Sequence, residues 1–295
     1  MQYIFNGEIK LKKLFTILAA TALMASAYAK ETITVINPSN KASPATVLAK
    51  SYEESLRGNP NYDVEFYQAS SCTDAASKYA ATKNAVMVVN ADVNIAAMAK
   101  GISGCELQAT AANTSLITKS YLKICRKTGS TKGFGDTPTT IGMASVILSD
   151  GLMKDLNGST RSFKGVPYPG SKAVLGGVLS GDINYGIIGA GIAMPAAERK
   201  EVECVYDTDP KSNNFLGKAL PDMKIPTMPI IQMVHTNATD KAVKDAISKA
   251  GQDDKFQTGI KSHGFLDTKT GNIADSDVGA VNDFINKAYN TYWKK

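Results

Sequence analysis

The chain has 295 residues and a net charge of +6, with 43% hydrophobic and 20% charged residues. This composition is typical of a globular protein and excludes a disordered chain. After the first thirty residues, lysines and arginines are scattered among acidic residues, which argues against a nucleic-acid partner.

The N-terminal segment has the pattern of a secretory leader. Three lysines between residues 10 and 13 precede the apolar run Leu14–Ala25, and Ala27-Tyr28-Ala29 fits a small-x-small cleavage site. The run is shorter than the roughly 20 apolar residues of a membrane-spanning helix. We therefore predict a signal peptide over residues 1–29, cleavage after Ala29 and a periplasmic mature chain, in preference to an amphipathic helix of the fold. Removing three lysines and one glutamate lowers the net charge from +6 to +4, which still suits a small anionic ligand.

Strand and helix patterns alternate along the first part of the mature chain. In order they are a strand at Thr32–Asn37, a helix at Ala45–Leu56, a strand at Val64–Tyr67, a helix at Thr73–Lys83, a strand at Ala85–Asn90 and a helix at Asn94–Lys100. Apolar strands alternating with helices predict an α/β fold with a mostly parallel sheet and helices on both faces.

The alternation is interrupted by Ser115–Cys125, which is longer than the other predicted strands, and by a turn at 129–138 rich in Gly and Thr. It then resumes. The predicted elements are a strand at Thr139–Met143, a helix at Ile147–Leu156, a strand at Ser162–Pro167, a helix and a strand between 171 and 188, a strand at Glu203–Asp207, a long apolar run from Met228, and helices at Asp240–Ala250, Asp253–His263 and Asp277–Tyr292.

Two alternating blocks connected by two long apolar strands predict two lobes around a cleft. The first lobe is predicted to contain residues 30–123 and 232–295, and the second lobe residues 124–231. The long strands at Ser115–Cys125 and from Met228 would cross between the lobes as a hinge.

The chain has four cysteines, Cys72, Cys105, Cys125 and Cys204. An even number of cysteines in an exported chain favours disulfides, and the absence of a C-x-x-C motif argues against a zinc or redox site. Spacing alone does not fix the connectivity. Since a disulfide between the lobes would block hinge motion, we favour the pairs Cys72–Cys105 and Cys125–Cys204.

Motifs of catalysis, metal binding and nucleotide binding are absent or incomplete. His235 and His263 form no i, i+4 ligand pair and have no evident nucleophile partner. Gly189-Ala190-Gly191 resembles the start of a dinucleotide fingerprint but lacks its third glycine, and Gly170-Ser171-Lys172 departs from the Walker pattern. We predict no enzymatic activity, no cofactor and no metal.

Small and polar residues follow four of the predicted strands. In open α/β sheets, ligands bind outside the carboxyl ends of strands, where the free N–H groups of helix starts attract anions. Plain helix capping is the alternative role of each turn taken alone. The predicted ligand-binding residues are Ser39, Asn40, Lys41, Ala42, Ser43, Ser71, Ala144, Ser145, Tyr168, Gly170, Ser171 and Lys172.

Residues 166–188, VPYPGSKAVLGGVLSGDINYGII, resemble a stretch of the form V-P-Y-x-G-x-x-x-A-L-x-D-L-L-x-G-x-V-D. That stretch is found in the Bug, or TctC-like, extracytoplasmic solute receptors of tripartite tricarboxylate transporters. Residues 33–50 (ITVINPSNKASPATVLAK), 219–229 (ALPDMKIPTMP) and 253–265 (DDKFQTGIKSHGF) are similar to further segments of the same family, in the same order.

The resemblance implies a type II periplasmic-binding-protein fold. It implies a monomer that closes its two lobes on a small organic acid, with the carboxylate held by main-chain amides and hydroxyls of the turns, and that delivers the acid to an integral-membrane permease. Two departures affect the ligand: Asn40 and Lys41 stand in a turn that is usually glycine-rich, and Pro169–Lys172 replaces the usual Gly-Gly. The ligand's identity therefore does not transfer. A sensor subunit that presents its ligand to a signalling protein, and an exported enzyme on the same fold, are the alternatives.

Overall fold

The computed structural model describes residues 30–39, 43–91, 95, 109–135, 139–144, 147–157, 163–221, 229–292 and 294. The strands are β1 (Glu31–Asn37), β2 (Tyr62–Gln68), β3 (Ala85–Asn90), β4 (Thr114–Lys127), β5 (Thr139–Ala144), β6 (Phe163–Tyr168), β7 (Tyr185–Gly189), β8 (Val202–Asp207), β9 (Pro229–Thr236) and β10 (Leu266–Thr270). The helices are α1 (Pro44–Arg57), α2 (Cys72–Ala81), α3 (Ile147–Asn157), α4 (Ser171–Ser180), α5 (Ala190–Glu198), α6 (Leu216–Ala219), α7 (Lys241–Gln252), α8 (Asp254–Ser262) and α9 (Asp275–Tyr292).

The predicted elements that fall on described residues form with small shifts at their ends. The leader at 1–29 and most of the helix predicted at Asn94–Lys100 lie outside the described residues. Two short elements were not predicted, β10 and α6. Strand β10 has no apolar run because its residues alternate between half-buried and exposed, and its pairing with β4 is irregular.

The strands described above form one sheet with the order β2-β1-β3-β9-β4-β7-β5-β6, and β8 and β10 each pair with β4. The groups β2-β1-β3 and β7-β5-β6 are parallel. Strand β9 runs antiparallel to β3 and β4, and β4 runs antiparallel to β7 and β8. The prediction of a mostly parallel sheet is therefore wrong at the centre. Apolar runs indicate burial on both faces, which central antiparallel strands also have when helices cover them.

Strand β4 belongs to both halves of the sheet. Residues up to Tyr121 pair with β9, and residues from Leu122 onward pair with β7 and β8. At about 3.3 Å per residue, its 14 residues extend over roughly 45 Å. The segment 222–228, which leads into β9, lies outside the described residues. The lobe boundaries at 123/124 and 231/232 stay a prediction.

Helices cover both faces of the first half of the sheet, β2-β1-β3-β9 with the start of β4. On one face, α1, α7 and α8 contribute Leu48, Ile247 and Ile260 to an apolar cluster with the strands. There the Tyr52 ring meets Phe256 edge-on at 5.3 Å between centroids. Helices α2 and α9 pack on the opposite face, in a cluster that continues into the second half of the sheet, where α3 packs against β5 and β6. Helices α4 and α5 cover the remaining face of that second half, β7-β5-β6 with the end of β4. None of the helices described here is long and apolar enough to cross a membrane.

The disulfide between Cys125 and Cys204 is present and confirms one of the two predicted pairs. The two residues lie opposite each other on β4 and β8, so the bond lies within the second half of the sheet. Cys72 is also disulfide-bonded. Since Cys105 lies outside the described residues, the pair Cys72–Cys105 stays a prediction.

His235 is a core residue of β9. Its side chain is fully buried, and neither ring nitrogen has a hydrogen-bond partner. Burial in this apolar environment lowers the pKa of the imidazole from 6.5 to about 4 because the charged form loses its hydration. The folded protein therefore keeps His235 neutral at pH values where the unfolded chain is protonated.

We expect the substitution His235→Leu to reduce the loss of stability in acid. The unfolded chain gains a proton as pH falls through 6.5, whereas the folded chain does so only near pH 4. Because the unfolded chain binds this proton before the folded chain does, the free energy of unfolding of the parent protein falls by about 3 kcal/mol between pH 7 and pH 4. Denaturant unfolding at both pH values is the measurement. The control is His263→Gln, since His263 is half-buried and its Nδ1 is 2.9 Å from Gly259 O. Equal pH dependence in His235→Leu and the parent protein would contradict this prediction.

Candidate functional site

Five polar side chains form a row across the first half of the sheet. They are Gln68, Asn37, Asn90, Gln232 and Thr118, on β2, β1, β3, β9 and β4, and we call them the polar row. Asn37 lies opposite Gln68, Asn90 opposite Gln232, and Gln232 opposite Thr118. By the alternation of strand side chains they share the face covered by α1. The first three are the last residues of parallel strands, where ligands bind in open α/β sheets.

One end of the polar row is satisfied internally and fixes the first predicted turn. Asn37 Nδ2 donates to Gln68 Oε1 and to Thr46 Oγ1, both at 2.9 Å. Gln68 Nε2 in turn donates to the carbonyl of Ser39 at 2.7 Å. These bonds connect β1, β2 and the first turn of α1, so they hold Ser39 beside the carboxyl ends of the strands.

The centre of the polar row carries unpaired atoms. Gln232 is fully buried and Asn90 is 8% exposed, yet Asn90 Oδ1, Gln232 Oε1 and Gln232 Nε2 have no hydrogen-bond partner. Asn90 Nδ2 donates to Ser39 Oγ at 3.4 Å. The other end is paired, since the hydroxyls of Thr118 and Thr268 are 2.8 Å apart. Buried polar groups are normally satisfied, so three unpaired atoms at one place identify a polar site.

Three helices begin next to one another where the two halves of the sheet meet. They are α1 at Pro44, α4 at Ser171 and α5 at Ala190. The Gly189 N–H donates to Ser171 Oγ at 3.2 Å. A Cβ on Gly189 would lie only 2.7 Å from Pro44 Cγ. Each helix start carries partial positive charge, so this junction of helix starts favours a negatively charged group.

The Gly189–Gly191 sequence has a packing role at this junction. A Cβ on Gly191 would lie 3.3 Å from the His263 carbonyl oxygen. Gly264 has a φ of +77°, and a Cβ there would lie 2.6 Å from the Cβ of Ala190. The start of α5 therefore lies so close to α1 and to the residues after α8 that only glycine fits at these contacts. This packing accounts for the glycines without a dinucleotide.

The structure brings Ser39, Ser43 and Ser171 of the predicted set to one region. Ser43 Oγ accepts a hydrogen bond from the Ala45 N–H and caps α1, directly before the Pro44 that touches Gly189. The predicted residues Asn40, Lys41, Ala42 and Ser145 lie outside the described residues.

The predicted residues of the second half lie around the start of α4. Ala144 is buried at the end of β5, opposite Tyr168 at the end of β6. The Tyr168 ring packs against Gly177 of α4, where a Cβ would lie 2.4 Å from its hydroxyl. Gly170 gives α4 no side-chain cap, and Lys172 is exposed.

Ser71 caps a helix, which is the role that the sequence offered as the alternative to ligand binding. Its hydroxyl accepts from the Asp74 N–H at 3.1 Å at the start of α2. Helix α2 follows β2, the edge strand, and the contacts described do not connect Ser71 to the junction of helix starts.

Sequence reasoning missed Asn90 and Gln232. The signal was a single glutamine inside the apolar strand PIIQMVHT and an asparagine ending AVMVVN. Their position opposite each other depends on the register of β3 and β9. Among the described residues, no three His, Cys, Asp or Glu side chains are grouped as metal ligands.

Neither a protein-family model nor a curated protein sequence matches the chain. Solved structures do match it. The periplasmic binding protein BugD is 15% identical, with 90% of this chain and 97% of that chain covered and a TM-score of 0.66. The Rhodopseudomonas palustris protein Rpa4515, solved with adipate, is 15% identical, with coverages of 89% and 98% and a TM-score of 0.65. MatC from R. palustris, with bound malate, is 16% identical, with coverages of 89% and 99% and a TM-score of 0.63.

The chain has the fold of two-lobed periplasmic binding proteins. This confirms the fold class that the sequence resemblance implied. At these identities, the ligand and the transport partner require evidence from the residues of the site itself.

We expect Gly189→Ala to destabilise the protein by about 1–3 kcal/mol, because the new methyl group overpacks the contact with Pro44. The backbone of Gly189 has a φ of −60°, which alanine adopts without strain, so the loss combines the contact with Pro44 and the poorer capping of α5 by alanine. Gly176→Ala in α4 is the matched control, since a Cβ there meets nothing within 4 Å, and we expect a gain of about 0.5–1 kcal/mol. Denaturant unfolding measures both. A stabilised Gly189→Ala would show that α1 and α5 do not meet here.

Proposed function

We propose that the protein is a periplasmic solute receptor that binds a small organic carboxylate between two lobes and delivers it to a membrane permease. The observation that carries the proposal is the junction of three helix starts, at Pro44, Ser171 and Ala190, beside the polar row. The partial positive charge of three helix starts, together with the uncapped first N–H groups of α4, favours an anion at this place.

The start of α4 offers two kinds of donor to a carboxylate. Gly170 caps the helix without a side-chain hydrogen bond. The Ala173 N–H donates to the Gly170 carbonyl, and the first two N–H groups of the helix have no intrahelical acceptor. Ser171 Oγ accepts from the Gly189 N–H, which leaves its own hydrogen free to donate to a ligand oxygen. Lys172 adds long-range attraction from the surface. No covalent step is needed, and we propose a binding role without catalysis.

Ligands in solved structures of the same fold support the proposal of a carboxylate ligand for this chain. MatC holds malate and Rpa4515 holds adipate in their solved structures. Both ligands are dicarboxylates, and the positive field of the junction of helix starts suits such anions.

We propose that residues 30–123 with 232–295 form one lobe and 124–231 the other. The partners of β4 change between Tyr121 and Leu122, next to the first boundary. Closure about this strand would bring additional contacts to a bound ligand, and a ligand that binds the closed form better shifts the equilibrium toward it. We propose that the mature protein is a periplasmic monomer. Its leader is removed after Ala29, and it serves a tripartite-type permease.

The proposal is tested by calorimetry and thermal unfolding of the chain from Lys30 with mono-, di- and tricarboxylates. We expect saturable binding of at least one acid, with stabilisation of about 2.7 kcal/mol at a hundredfold excess over Kd. Ser171→Ala removes one donor and is expected to weaken binding by about three- to tenfold.

The control variant is Ser180→Ala at the opposite end of α4, where the hydroxyl is hydrogen-bonded to Gly177 O and Asp182. We expect it to leave the affinity unchanged. Absence of saturable binding with every acid, or equal losses in the two variants, would refute the proposed site.

A further inference from the structure

We propose that Asn90 and Gln232 bind a hydrogen-bond donor that the ligand carries in addition to its carboxylate, a hydroxyl or an amine. The receptor would thereby select substituted acids over plain ones. This inference rests on the proposed function, because it concerns a second group of the same ligand.

The two side chains form one buried surface. They lie directly opposite each other on β3 and β9, where facing side chains are about 5 Å apart. Asn90 also contacts Ser39 Oγ, so the pair adjoins the turn before α1. Ser120 of β4 extends the unpaired region. Its hydroxyl is fully buried without a partner, and it pairs with Ile230, two residues from Gln232.

The unpaired atoms favour a ligand that donates as well as accepts. A carboxylate has only acceptor oxygens, so it can pair with Gln232 Nε2 but not with Asn90 Oδ1 or Gln232 Oε1. A hydroxyl donates one hydrogen bond and accepts others, and an amine donates several. A ligand without a donor leaves these buried carbonyl oxygens unsatisfied, which weakens binding.

The neighbouring members of the polar row do not take this role. Thr118 Oγ1 is within hydrogen-bond distance of Thr268 Oγ1 and of the Leu266 carbonyl. The Asn37 amide donates to Gln68 and Thr46. Within the polar row, unpaired capacity therefore lies at the centre, at Asn90 and Gln232, and this is where we place the substituent of the ligand.

Matched acids test the inference on the unmodified protein. Each set has one carbon skeleton without a donor, with a hydroxyl and with an amine: succinate, malate and aspartate; glutarate, 2-hydroxyglutarate and glutamate; propionate, lactate and alanine. In the set that binds, we expect the hydroxy or amino acid to bind about tenfold more tightly than the plain acid. The comparison of hydroxy with amino acid identifies the donor. Equal affinity within the set overturns this inference and leaves the proposed function intact. No binding in any set also overturns this inference, and it overturns the proposed function only when every other acid tested fails to bind as well.

Gln232→Met provides the second test because it keeps the shape of the side chain and removes both polar atoms. We expect it to reduce the preference for the substituted acid to about twofold or less, with little change in affinity for the plain acid. Thr118→Val, in the same row, is the matched control and is expected to keep the preference. Denaturant unfolding without ligand checks that Gln232→Met is folded, and we expect no loss of stability since no hydrogen bond is removed. A preference unchanged in Gln232→Met would refute the inference.

Discussion

Strand β4 is the constraint on which the rest of the structure depends. It is antiparallel to every strand with which it pairs, and it is the strand that joins the two halves of the described sheet. Its Thr118 lies opposite Gln232, and its Leu122 lies opposite Gly189. These positions are four residues, or about 13 Å of strand, apart, so β4 sets the polar row and the junction of helix starts in a fixed relation to each other. A rigid strand therefore fixes the distance between the two groups of atoms that we assign to the ligand.

The polar row and the junction of helix starts both lower the stability of the folded protein without ligand. Unpaired buried atoms of Asn90, Gln232 and Ser120 each lose hydration without a replacement, at about 1–3 kcal/mol per group. The helix starts at Pro44 and Gly189 place like partial charges side by side. An anion with a polar substituent relieves both costs at once.

The sequence was sufficient to predict most strands and helices, because buried strands are apolar runs and the helices that cover them are amphipathic. Strand direction at the centre was not predictable, since β4 and β9 are buried on both faces whichever way they run. Small residues after strands correctly indicated helix starts, with Ser43 and Ser171 as examples. Asn90 and Gln232 were missed because a single polar residue hardly alters an apolar pattern. The two residues come together only through the pairing of β3 with β9, which lie far apart in the chain.

The two faces of β4 differ in how they connect the halves of the sheet. On one face Pro44 of α1 meets Gly189 at the start of α5. On the other, Tyr292 of α9 donates to Asp155 of α3 at 2.9 Å, in a cluster that contains residues of both halves. A ligand at the junction of helix starts adds contacts to the first face only. In the closure that we propose, a ligand that contacts both halves at this junction binds the closed arrangement more tightly than an open one, which is the difference in affinity that closure requires.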